Sequence, residues 1–227
     1  MNPPVVEQVG KVLVVRDDLV LGGTKARVLH RLFEVGKQEY VYASPVQGYA
    51  QVALAYCCRA AGKQATVFCA ARREHHPRTE EALLAGAKVV EVSPGYLSVV
   101  RARACEYCDR TGAVLLPFGL DVPVVVDAIA NVARGLGIAP TEVWTVAGSG
   151  VLTRALQKAW PDAAFNAVRI GAEPDAGRAR VWVAPEKYEH DARHLPPFPS
   201  CTNYDAKLWQ FVLRYASPGA LVWNVAK

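Results

Sequence analysis

The 227-residue sequence predicts an α/β protein with parallel-sheet cores and helices on both faces. Three observations support this: short β-branched runs alternate with segments of helical periodicity, glycines punctuate the helix ends, and 52% of the side chains are hydrophobic. Val12 to Val15 is the first strand, and the stretch Lys25 to Phe33 follows as a helix with Val28, Leu29, Leu32 and Phe33 on one face. The unit then recurs: strand Tyr40 to Ala43 with helix Tyr49 to Ala61, strand Ala65 to Cys69 with helix Thr79 to Ala85, strand Lys88 to Val92 with helix Leu97 to Arg110. Gly62, Gly86 and Gly112 stand just after these helices, where a left-handed residue closes the last turn.

The second half continues with helix Val122 to Leu136, strand Glu142 to Val146 and helix Leu152 to Trp160. Regularity weakens after Phe165 to Ile170. The segment Gly171 to Cys201, rich in Pro, Arg and His, is read as loops around one short strand at Val181 to Val183. A helix from Tyr204 to Tyr215 and a strand from Leu221 to Trp223 end the pattern.

No run of about twenty apolar residues occurs, and Met1 to Gly10 lacks the basic start and apolar stretch of a secretory signal, so a cytoplasmic protein is expected. The six cysteines lie mostly in apolar segments and are expected to be reduced thiols. Cys105 and Cys108 form a C-x-x-C, but no second pair stands at zinc spacing, and no metal site is expected. The formal charge of +5 is spread over Arg72, Arg73, Arg101, Arg103, Arg178 and Arg180, as on a solvated surface, with an acidic partner such as DNA as the alternative. His190 and His194 are the histidines with a chance of meeting a substrate; His75 and His76 are expected to be exposed.

Three clusters carry chemistry. The first is Arg16-Asp17-Asp18-Leu19 followed by Gly22-Gly23-Thr24-Lys25-Ala26-Arg27-Val28-Leu29, in which two glycines turn the chain and Lys25 opens a helix. The second is Ala147-Gly148-Ser149-Gly150-Val151, a glycine loop between a strand and a helix start, where backbone N–H groups and the helix dipole suit an anion such as phosphate. It is not a nucleotide P-loop, since no Gly-Lys-Ser/Thr follows. The third is Thr202-Asn203-Tyr204-Asp205-Ala206-Lys207, where capping and packing alone would explain Asp205 and Tyr204.

Taken in order, these clusters resemble the fold-type-II (tryptophan synthase β-like) enzymes that use pyridoxal 5′-phosphate (PLP), in particular the aminocyclopropane carboxylate deaminase and D-cysteine desulfhydrase branch, in a compact and potentially phage-type form. Gln47 to Ala53, Gly86 to Val90 and Pro117-Phe118-Gly119 continue the resemblance along nearly the whole chain. It implies two lobes with the cofactor in the cleft: a large PLP-binding lobe of residues 1–43 and 116–227, and a small lobe of residues 44–115. It also implies that Lys25 binds PLP covalently as an aldimine. Gly148, Ser149, Gly150 and Val151 would then present N–H groups to the phosphate, with the Thr153 hydroxyl beside them. Asp205 would face the pyridine nitrogen, Tyr204 would act as acid or base, and Gln47 would contact the cofactor at the position where the family usually has Asn. Trp223-Asn224-Val225-Ala226 replaces the family's His-Thr-Gly-Gly-like strand end.

The implied activity is a PLP-dependent lyase acting at Cα of an amino acid group, by decarboxylation, deamination or β-elimination, in a homodimer. One alternative is a decarboxylase of an amino acid attached to thymine in phage DNA. A PLP-binding protein without turnover is the other.

Overall fold

A computed structural model describes residues 2–93 and 95–227. The chain forms two units, Met1–Arg27 with Asp121–Lys227, and Val28–Leu120. The first unit begins with strands β1 (Val6–Val9) and β2 (Val12–Arg16) and with helix α1 (Gly23–Val28), which reaches its border. The second unit holds β3 (Glu39–Ala43), α2 (Ala50–Ala60), β4 (Gln64–Ala70), α3 (Pro77–Leu84), β5 (Lys88–Val92), α4 (Leu97–Thr111) and β6 (Val114–Leu115). The chain then completes the first unit with α5 (Pro123–Arg134), β7 (Glu142–Ala147), α6 (Val151–Ala159), β8 (Ala164–Arg169), β9 (Arg180–Val183), α7 (Trp209–Tyr215) and β10 (Leu221–Asn224).

The first unit's sheet runs β1-β2-β10-β7-β8-β9. All its neighbours are parallel except β1, which folds back on β2. Alternation along the strands sends Val12, Val14, Trp144, Val146, Val168 and Val222 to one face, where they pack on Leu208, Trp209 and Val212 around α7. Each of these valines, at most 2% exposed, contributes about 1.5–3 kcal/mol by leaving water. The second unit's sheet, β5-β4-β3-β6, is wholly parallel. Its Val41, Ala43, Phe68 and Val92 pack on Val100, Ala104 and Cys108 of α4.

Several elements differ from expectation. The hairpin partner β1 was not expected; Gly10 and Lys11 make a two-residue connection, with Gly10 at φ +56° as such tight hairpins require. Strand β6 has only two residues, too few for a periodic signal. The first helix ends at Val28 and passes into a 3-10 turn over Leu29–Leu32, because Val28 leaves helical geometry at φ −122°. The last helix is likewise split: Tyr204 stands at φ −133°, ψ −90°, a 3-10 turn covers Asp205–Leu208, and only then does α7 begin. The unit borders at Arg27/Val28 and Leu120/Asp121 also differ from those expected at 43/44 and 115/116. Strand β3 accounts for the first difference, since it pairs with β4 and β6 and so belongs to the second unit's sheet.

Candidate active site

The carboxyl ends of β2, β10 and β7 lie side by side in the first unit's sheet, the place where parallel α/β sheets bind ligands. The chain leaves β2 through a 3-10 turn at Asp17–Leu19, then passes Gly22 and Gly23, both at positive φ, into α1 with Lys25 in its first turn. Two buried carboxylates hold this turn. Asp17 accepts hydrogen bonds from the Thr24 hydroxyl (2.7 Å), Arg27 Nε (2.6 Å) and Trp223 Nε1 (3.1 Å). Asp18 takes both Nε and Nη2 of Arg16 at 2.8 Å, and Nδ2 of Asn224 at 2.7 Å. A backbone bond from Thr24 N–H to the Val225 carbonyl (3.0 Å) closes the latch. Trp223 and Asn224, read from sequence as a departure, are therefore the β10 residues that clamp the lysine turn. Removing one partner from such a buried charged network typically costs 3–5 kcal/mol.

Lys25 is half-buried, and burial pulls its pKa down, opposed by the charge of Asp205. Asp205, only 4% exposed, comes from the 3-10 turn before α7. Neither of its carboxyl oxygens meets a hydrogen-bond partner. Burial pushes its pKa up to about 8, although the nearby backbone N–H groups of Val225 and Ala226, which approach without completing a hydrogen bond, and the charge of Lys25 pull the other way. Burial thus biases both groups toward their uncharged forms.

The glycine loop leaves the end of β7. Gly150 lies at φ +87°, and a Cβ there would come within 1.8 Å of the Asp175 carbonyl oxygen, so no side chain fits. Gly148 is constrained differently: a Cβ would meet the Tyr204 hydroxyl at 2.9 Å. Tyr204 is half-buried, and burial, then Asp205, hold its phenol pKa above the usual value. Gly150 caps α6, a nine-residue helix whose first-turn N–H groups have no partners within the helix.

No protein-family model matches the chain, and no curated protein does. Solved structures match over nearly its whole length. An ACC deaminase homologue superposes with a TM-score of 0.80 at 14% identity, covering 95% of this chain and 84% of that one. The fold is that of the fold-type-II enzymes. Apo diaminopropionate ammonia lyase from Escherichia coli gives a TM-score of 0.71 at 15% identity, covering 100% and 83%. O-acetylserine sulfhydrylase isoform 3 from Entamoeba histolytica gives 0.71 at 12%, covering 100% and 86%. The Escherichia coli lyase has also been solved in complex with an aminoacrylate–PLP azomethine intermediate.

Within this fold-type-II chain, Lys25, Gly148 to Val151, Tyr204 and Asp205 all belong to the first unit, whereas Gln47 lies in the second, half-buried in the turn between β3 and α2. Thr153 has no exposed surface, and its hydroxyl pairs with that of Thr145 at 2.8 Å, one turn into α6 from the glycine loop. His190 and His194 are exposed, in loops without regular structure. Arg178 donates to the carbonyls of Ala163 (2.7 Å), Trp160 (3.2 Å) and Pro161 (2.5 Å), and Arg180 stacks on Trp182 at 4.0 Å, so both have a structural role besides their charge. The residues present suit PLP: a lysine disposed to lose its proton, a buried carboxyl lacking a donor, and a glycine cradle at a helix start.

Proposed function

We propose that the chain is a PLP-dependent lyase acting at Cα of an amino acid group, with Lys25 as the lysine that carries the cofactor. What supports this is a lysine depressed by burial within electrostatic reach of Asp205, a buried carboxyl that completes no hydrogen bond of its own. When bound, PLP supplies an electron sink for the pair released at the substrate's Cα.

The chain's own residues account for the rest. Lys25 offers an Nζ that gives up its proton readily, which a nucleophilic amine and a proton carrier both require. Gly148, Ser149, Gly150 and Val151 would hold the phosphate through backbone N–H groups and the dipole of α6. Asp205 would be the acidic partner of the cofactor's ring nitrogen, a donor that satisfies its orphaned oxygens. Tyr204 keeps its phenolic proton, since burial raises its pKa, and is the group able to donate it at the glycine loop.

The solved neighbours support deamination or elimination as the reaction, because one is named an ACC deaminase homologue and another an ammonia lyase. A second reading, decarboxylation of an amino acid carried on DNA, is favoured by Arg72 and Arg73, which are exposed and form no ion pair among the described residues. Titration with PLP, followed by a panel of free amino acids and amino-acid-modified DNA assayed for ammonia, keto acid and carbon dioxide, tests both readings. Visible absorbance that wild type gains and Lys25→Ala does not, with turnover of free amino acids, is the expected result. No cofactor uptake would reject the proposal.

A further inference from the structure

Lys207 has no exposed surface, although it carries an ammonium group. Its Nζ donates to the Lys187 carbonyl at 2.7 Å and reaches the Tyr188 carbonyl at 3.4 Å. Burial pulls its pKa down, and the charges around it are those of Glu186, Asp191, Cys201 and Glu189. An aliphatic side chain would fill the same space without the desolvation penalty, so the donors are the feature to explain. What they hold is a stretch of chain with no helix or strand, in which the Lys187 carbonyl also accepts the His190 N–H at 3.0 Å. The same stretch is tied twice more: Gln210 Nε2 donates to Glu186 Oε2 (3.1 Å), and Asn203 Nδ2 to the Tyr188 carbonyl (3.4 Å). Tyr188 and Tyr204 pack on one core cluster, and Tyr188 lies near enough for its charge to influence the Tyr204 phenol.

We propose that Lys207 is a positioning residue: its Nζ pins the Lys187–Tyr188 backbone, which seats Tyr188 beside Tyr204 and keeps the Tyr204 hydroxyl against Gly148. The catalytic consequence rests on the PLP-lyase reading, while the pin itself does not. Titratable neighbours of Tyr204 are Asp205, Tyr188 and Cys201, so loosening the pin admits water to a phenol whose proton is held chiefly by burial.

The test uses Lys207→Met, which keeps the stem and removes the donors. Hydrogen exchange followed by mass spectrometry should speed up at least about tenfold in peptides covering residues 186–190, and not in β7 or β8. In the PLP-loaded enzyme, kcat should fall at least about tenfold with KM little changed. Tyr188→Ala leaves Lys207 intact and should lower kcat in the same way, so it decides the matter should Lys207→Met not fold. Unchanged exchange at residues 186–190, or a kcat lowered in neither folded variant, overturns the inference. Absence of a cofactor label on wild-type Lys25 would instead reject the PLP reading, and the exchange result would still decide the pin.

Discussion

Replacing Asp205 by Asn should stabilise the cofactor-free protein at alkaline pH, although it removes a residue proposed for function. In the unfolded chain an aspartate ionises at its ordinary pKa of 3.8, whereas burial holds Asp205 protonated up to about 8. The folded state therefore binds the extra proton between these values. The stability this proton brings is fully present below pH 3.8 and is lost as pH rises through 8. Four pH units at about 1.4 kcal/mol each amount to on the order of 5 kcal/mol. Asn is neutral and of the same shape, so the two proteins should match near pH 4, and the variant should gain steadily until pH 8. Lys25 loses the charge of Asp205 in the variant, so the same pair is also compared in a Lys25→Met background. Denaturant unfolding at pH 4, 6 and 8.5 measures this directly. Equal stabilities at all three pH values, or a variant that is weaker at pH 8.5, would refute an unpartnered carboxyl at this position.

Gly150→Ala combines a left-handed backbone with a Cβ 1.8 Å from the Asp175 carbonyl, so it should cost at least about 2 kcal/mol in unfolding free energy; an unchanged denaturation midpoint would contradict the loop geometry. Arg178→Ala should lower stability by about 1–3 kcal/mol through the three carbonyls it abandons, without altering DNA affinity. Arg72→Ala with Arg73→Ala should do the reverse if DNA carries the substrate, leaving stability within about 0.5 kcal/mol and reducing the salt slope of DNA binding by about one to two. Salt-independent binding, or none, removes the DNA reading.

Strand and helix identities were legible wherever periodicity was long. Strand β5 runs over the expected Lys88–Val92, and α4 over Leu97–Thr111. Ends and short elements were not, because the two residues of β6 and the broken turn at Asp205–Leu208 depend on tertiary contacts. The order of Lys25, the glycine loop and Asp205 was visible as motif; Lys25 follows β2, the loop follows β7 and Asp205 comes from the 3-10 turn before α7, all in one unit. Less visible were the struts. Asp17 and Asp18 meet Trp223 and Asn224 across nearly the whole chain, and a pairing so distant leaves no local pattern. The Thr145–Thr153 hydroxyl pair was equally hidden, since it joins a strand residue to a helix residue across the glycine loop.

The central claim is that Lys25 carries PLP, and borohydride reduction of the protein mixed with PLP, followed by peptide mapping, tests it most directly. The account predicts one stable pyridoxyl label on the peptide containing Lys25, absent from Lys25→Ala. A label on Lys207 or on surface lysines alone, or no label at all, would contradict it.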